Sequence, residues 1–228
     1  MKCSRLYIAL LFLVSLLFSF ASQAQDSLFD AMVNEKMTEF TLRDFWQKPD
    51  SLLKVMQIQP AEHIAEIGAG EGYFSVRLAK EVGPDGKLLA IDESERKLNV
   101  MKLLKRYSQL DQLEIRKSSI SQLKLDPGSL DKIVMLGVYH QLSDYEMLLK
   151  RCMAALKPGG TIYIIDRCEA KQDNDKAVRK KLFKKQSIRL SMVEADLKTA
   201  GFQTSVTLDK YTQQNGKINW FMIGATKN

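Results

Sequence analysis

The chain has 228 residues, of which 45% are hydrophobic and 27% charged, with a formal net charge of +7. That length fits one domain with a substantial core, and no internal repeat or linker marks a second. Nothing suggests a metal site, because the only histidines are His63 and His140.

In chain order, Met1 to Arg5 is a short basic start, and Leu6 to Ala21 is almost wholly apolar. Ser22, Gln23 and Ala24 then place small residues for cleavage before Gln25. Residues 1–24 therefore have the layout of a secretory signal peptide, and an exported, periplasmic protein is expected. The rival is an uncleaved inner-membrane anchor through residues 6–21, a run a little short for about 30 Å of hydrocarbon. Cleavage removes Lys2 and Arg5 and lowers the +7 charge by two. Cys152 and Cys168 remain and read as two structural thiols rather than a disulfide.

Residues 25–60 read as a helical cap in two pieces. Leu28, Phe29, Met32, Val33 and Met37 have helical spacing, as do Leu52, Leu53, Val55 and Met56 after Pro49. Between them, Thr41 to Pro49 reads as a connection. Trp46 in it covers a sheet edge or, with Arg43, folds over a ligand mouth.

Residues 61–228 alternate strand and helix patterns. Strands are expected at 62–67, 87–92, 113–116, 130–136 and 161–166, and helices at 73–82, 95–107 and 143–156. Gly83 to Gly86 and Leu156 to Gly160 read as turns. Ser191 to Glu194 reads as a capping box opening a helix that ends at Gly201. Two last strands, 203–209 and 217–226, flank Gln213-Gln214-Asn215-Gly216, a hairpin signal. The whole is an α/β pattern: a mostly parallel seven-stranded sheet with a C-terminal antiparallel hairpin and helices on both faces.

The chemistry centres on Glu66-Ile67-Gly68-Ala69-Gly70-Glu71-Gly72-Tyr73. An apolar strand closes on an acid, three glycines follow at spacing two, and a helix pattern starts at once. Such a turn suits a nucleotide-type ligand at the carboxyl end of a first parallel strand. The dinucleotide pattern G-x-G-x-x-G requires glycine where Tyr73 stands, so an NAD-type oxidoreductase is disfavoured. Asp92 closes strand two and can accept both ribose hydroxyls, with Glu93 as the alternative.

The loop resembles motif I of class I S-adenosylmethionine-dependent methyltransferases. Asp92, Leu136 to Leu142 and Leu156 to Gly160 fall in the order and spacing of that family. The similarity is closest to a bacterial group with a signal peptide, a W-Q-K-P segment before motif I, and a Tyr-His pair after strand four. This resemblance implies a Rossmann-like methyltransferase fold and S-adenosylmethionine as cofactor. Glu66 would engage the ammonium group, and Gly68, Gly70 and Gly72 would line the methionine moiety under Tyr73 as a lid. Asp92 would hold the ribose, with Ser119 and Ile120 beside the adenine and Gly137 at the cofactor. His140 is the implied general base, with Tyr139 as pocket wall. Three positions depart from the family pattern: Ser119 and Gly137 stand where Asp is common, and Gln141 where His is.

The expected function is methyl transfer to a small-molecule or lipid-like acceptor. The alternative is a catalytically impaired binder of S-adenosylmethionine or a nucleoside on the same fold. The basic run over 176–189 reads as a solvated face or as peripheral contact with anionic lipid or substrate. Nucleic acid is a poor partner for an exported protein.

Overall fold

The computed structural model describes residue 23, residues 27–168 and residues 186–228. The apolar run at 6–21 and most of the basic run at 176–189 lie outside them. The chain divides at 42/43 into two compact units, Met1–Leu42 and Arg43–Asn228.

Residues 27–47 are helical and form α1. In the first unit, Val33 and Phe40 of this helix are buried, while Leu28, Met32 and Leu42 are exposed. The connection expected at Thr41 to Pro49 is absent, because Thr41 to Gln47 contains no helix breaker and continues α1. The break falls at Lys48, which adopts the left-handed conformation (φ 48°, ψ 58°) ahead of α2, Pro49–Met56. Proline disfavours a right-handed helical conformation at the residue before it and sits well at a helix start.

The second unit is built on β1 (His63–Ile67), β2 (Lys87–Asp92), β3 (Leu113–Lys117), β4 (Leu130–Leu136), β5 (Leu156–Cys168), β6 (Gln203–Gln214) and β7 (Ile218–Thr226). Its helices are α2, α3 (Ser75–Val82), α4 (Glu95–Tyr107), α5 (Tyr145–Ala155) and α6 (Leu190–Thr199). The strand order is β3-β2-β1-β4-β5-β7-β6. β1 to β5 are parallel, and β7 runs antiparallel between β5 and β6. The chain thus starts at mid-sheet, works outward to β3, then returns across β1 to β4. That reversal opens a crevice at the carboxyl ends of β1 and β4, where ligands of open α/β sheets bind.

The inner strands β1, β2, β4 and β7 are mostly apolar runs because both faces are covered, whereas the edge strands β3 and β6 are polar and largely exposed. Ala65, Ile67, Ile133, Met135, Ile162, Ile164, Phe221 and Ile223 share one core with Leu148, Leu149 and Cys152 of α5 and Val193 and Leu197 of α6. The alternate positions face the other side. There Ser75 at the start of α3 bonds Glu66, and the Tyr163 hydroxyl donates to Met56 O of α2 at 3.4 Å.

Three boundaries differ from the sequence expectation. β5 begins at Leu156, since the Gly159 N–H donates to Lys227 O and the Lys227 N–H to Gly160 O, drawing the proline-glycine turn into the sheet. β6 runs on to Gln214 through an irregularity between Leu208 and Thr212, with Lys210 at φ 50°. α6 is preceded by Arg189, with no side-chain cap, so Ser191 lies inside the first turn and the capping box does not form. The hairpin signal holds: Asn215 (φ 52°) and Gly216 (φ 64°) make the turn, closed by Lys217 N–H to Gln214 O at 3.1 Å.

Candidate active site

The glycine loop leaves β1 and folds back on β2, with Gly68 and Ala69 N–H both donating to Ile91 O. A Cβ on Gly68 would lie 2.7 Å from Val138 Cγ2, and one on Gly72 would lie 2.8 Å from Met101 Cγ. These two glycines therefore answer to close packing of the protein on itself, besides their positive φ. Only Gly68 of the three faces the cavity described next.

That cavity, about 370 Å³, lies at the carboxyl ends of β1, β2, β3 and β4, within the range of small-molecule sites, roughly 300–1,000 Å³. Of the residues expected to hold a cofactor, Gly68, Asp92, Glu93, Ser119, Ile120 and Gly137 line it, whereas Glu66, Gly70, Gly72 and Tyr73 do not. Asp92 is buried, and both its oxygens already serve the backbone: Oδ2 accepts from Gly70 N–H and Oδ1 from Ser94 N–H, each at 2.9 Å. Glu93 beside it is exposed and, among the described residues, has no hydrogen bond or ion pair. The loop after β3 is pinned from below, since Arg151 Nη1 donates to Ile120 O at 2.7 Å and Ser121 O at 3.0 Å. Ile91, Ile120, Leu123 and Leu142 give apolar walls, and Asp92, Glu93 and Asp144 face a single basic residue, Lys97. Flat apolar walls, hydroxyl acceptors and an excess of carboxylates fit a nucleoside carrying positive charge. They do not fit a pyrophosphate, which needs basic or N–H donors.

Glu66 is turned away from this cavity. It is 2% exposed, and its Oε2 accepts the Ser75 hydroxyl at 2.5 Å. Burial pushes its carboxyl up from the ordinary 4.5 to about 7, against the Ser75 bond and the attraction of Arg43; Asp92 adds to the rise. Tyr73 is buried rather than a lid, with its hydroxyl donating to Asp44 Oδ1 at 2.7 Å. Desolvation and that bond hold its phenol well above the usual range. Arg77 closes the group, with Nη2 at 2.8 and 2.6 Å from the two Asp44 oxygens.

Tyr139 and His140 stand on a short 3-10 turn, Tyr139–Gln141, after β4, and neither lines the cavity. Tyr139 is fully buried and its hydroxyl donates to Asp196 Oδ2 at 2.9 Å, a packing role instead of a wall. His140 is tied to Asp166 twice: Nδ1 lies 2.9 Å from Oδ1, and its backbone N–H donates to Oδ2 at 2.9 Å. A carboxylate oxygen accepts, so Nδ1 is the donor, and in the neutral ring that leaves Nε2 as the acceptor. Nε2 is buried and, among the described residues, has no hydrogen-bond partner. Asp166 was not singled out from sequence, though an acid ending an apolar strand, as Asp92 does, was the available signal.

A family described as methyltransferase domain matches residues 58–219, well over half of the chain. The chain is 28% identical over 140 residues to a demethylmenaquinone methyltransferase of Oceanobacillus iheyensis, covering 61% of this chain and 57% of that protein. It is 27% identical over 127 residues to one of Listeria welshimeri, covering 56% and 53%. The chain thus spans just over half the length of these curated relatives. Among solved structures, an S-adenosylmethionine-dependent methyltransferase from Aquifex aeolicus superposes with a TM-score of 0.66 at 24% identity, covering 79% of this chain and 89% of that one. A phosphoethanolamine N-methyltransferase from Haemonchus contortus, in complex with S-adenosylmethionine, gives 0.64 at 17% identity, covering 80% and 52%. With its strand order and its carboxyl-end cavity, the chain belongs to the methyltransferase-domain family and has the class I S-adenosylmethionine-dependent methyltransferase fold.

Proposed function

We propose that the protein is an S-adenosylmethionine-dependent methyltransferase acting on a small-molecule or lipid-like acceptor, and that it works outside the cytoplasm. The observation that carries the reading is the cavity's chemistry: carboxylates in excess over one lysine, apolar walls, and a free Glu93 beside Asp92. Glu93 would accept the ribose hydroxyls alongside Asp92, whose oxygens each hold one backbone N–H, of Gly70 and Ser94, and keep a lone pair. Ile120 and Leu142 would flank the adenine, with the Ser119 hydroxyl at its edge. The 1–24 pattern supports export, and the curated relatives' name, demethylmenaquinone methyltransferase, supports a lipid-like acceptor.

When bound, S-adenosylmethionine supplies an electrophilic methyl whose bond pair stays with sulfur. The chain's own residues have then to align the acceptor and to take up the proton it loses. Alignment alone supplies much of such a rate enhancement. His140 would take that proton at Nε2 only from an acceptor seated beyond the cavity lining, where this buried nitrogen lies, and Asp166 holds the ring in the orientation this requires. The test is calorimetric binding of S-adenosylhomocysteine, with Glu93→Gln expected to weaken it about tenfold, the loss of one hydrogen bond to a charged group. Equal affinity of wild type and variant would remove Glu93 from the site.

A further inference from the structure

Beside the cavity, across Gly137, stands a group of side chains that the cofactor reading leaves unused. A Cβ on Gly137 would lie 3.3 Å from Cη2 of Trp220, so this indole closes the far side of a cavity wall. Trp220 meets Trp46, with ring centroids 5.5 Å apart. The two are the chain's only tryptophans. Arg167, opposite Trp220 in the β5–β7 register, holds its guanidinium 5.6 Å from the Trp220 ring. Arg43 lies 5.6 Å from the Trp46 ring and 3.9 Å from the Tyr73 ring. The result is one continuous stack, Tyr73–Arg43–Trp46–Trp220–Arg167, from the glycine loop to the end of β5.

The stack has donors without acceptors. Among the described residues Arg43 Nε, Arg167 Nε and Trp220 Nε1 are all buried with no hydrogen-bond partner, and Trp220 is 2% exposed. Buried donors in folded proteins are nearly always paired, so three on one stack require a reason. Charge is met only at a distance: Glu66 attracts Arg43 without bonding it. Among the described residues the Arg43 guanidinium bonds only the Gln47 Oε1 amide oxygen and that of Arg167 only the Gln186 one. Among the described residues neither guanidinium has an ion pair. The nearby carboxylates are engaged elsewhere, Asp44 with Arg77 and Tyr73, and Glu66 with Ser75. Guanidinium and indole N–H groups with no carboxylate of their own are suited to a ligand that brings an anionic oxygen.

We propose that this stack is the acceptor site and that the acceptor bears an oxyanion, a carboxylate or phosphate, on a body that packs against Trp46 and Trp220. The assignment rests on the methyltransferase reading and narrows its substrate class. The oxyanion takes the Arg167 and Trp220 N–H groups, Arg43 adds charge from the end of α1, and the reacting end of the acceptor faces the cavity across Gly137.

Because both tryptophans sit in the stack, their fluorescence reports directly on it. The full chain, with S-adenosylhomocysteine present, is titrated with benzoate, phenyl phosphate and the neutral benzyl alcohol. A saturable change with at least one anion and none with the alcohol is expected. The better of the two anions identifies the oxyanion. Arg167→Gln is expected to weaken that response at least tenfold, and Trp220→Phe, which removes one N–H and keeps an aromatic wall, several-fold. Arg43→Gln serves if Arg167→Gln does not fold. Benzyl alcohol matching the anions, or unsaturable quenching by all three, overturns the proposal. Normal S-adenosylhomocysteine binding without an anion response sinks this site alone. An anion response without S-adenosylhomocysteine binding sinks the methyltransferase reading instead.

Discussion

Replacing Glu66 with glutamine should change stability in a pH-dependent way. Glu66 sits on β1 among Ile64, Ala65 and Ile67, all buried, and is itself 2% exposed. Its carboxyl is raised from 4.5 to about 7, burial being the largest cause. A buried acid of this kind binds its proton more tightly in the folded chain than in the unfolded one. Its contribution to stability is therefore complete below about pH 4.5 and is lost as pH climbs through about 7. At 1.36 kcal/mol per pH unit, that interval corresponds to about 3 kcal/mol. Glutamine keeps the shape and an oxygen to accept the Ser75 hydroxyl, but does not titrate. Wild type and Glu66→Gln should then be close in stability near pH 4.5 and diverge by about 3 kcal/mol in favour of the variant by pH 8. For a domain this size the divergence amounts to on the order of 10 °C in Tm. Urea unfolding followed by circular dichroism at pH 5, 6, 7 and 8 measures it. A stability difference independent of pH would refute the reasoning.

Two further substitutions probe the loop and the base. Gly72→Ala places a Cβ 2.8 Å from Met101 Cγ at φ 92°, and should lower stability by about 1–3 kcal/mol in the same unfolding assay; an unchanged midpoint would show that Met101 yields freely. Asp166→Asn keeps the shape but loses the carboxylate on His140 Nδ1, so kcat should fall by about tenfold or more with S-adenosylhomocysteine affinity unchanged. Unaltered turnover would remove the pair from catalysis.

The parallel part of the sheet was legible because its inner strands hold short apolar runs closed by a polar residue or glycine, and β3 alternates Leu113 and Ile115 with charged residues, with helical spacing between. Asp92 and Ser119 to Ile120 could be placed at the cavity for the same reason: ends of parallel strands meet along one edge. Side-chain direction was not legible. Glu66 and Glu93 both follow apolar runs, yet one is buried under α3 by its bond to Ser75 and the other is free at the cavity. Nothing at positions 66 or 93 alone distinguishes them. Gly72 is explained by Met101, a residue 29 positions later that only the packing of α4 brings near. Tyr139 and His140 read alike as a site pair, and their separation depends on Asp196 and Asp166, which lie far along the chain. The Trp46–Trp220 pair likewise joins the two ends of the described chain.

The most direct measurement is calorimetric titration of the protein with S-adenosylmethionine and S-adenosylhomocysteine, with NAD as the control. Saturable binding of the first two at micromolar Kd, weakened about tenfold in Glu93→Gln, with no heat from NAD, is the expected result. A folded protein that ignores both sulfur nucleosides, or that binds NAD instead, would contradict the assignment of the cavity and the function built on it.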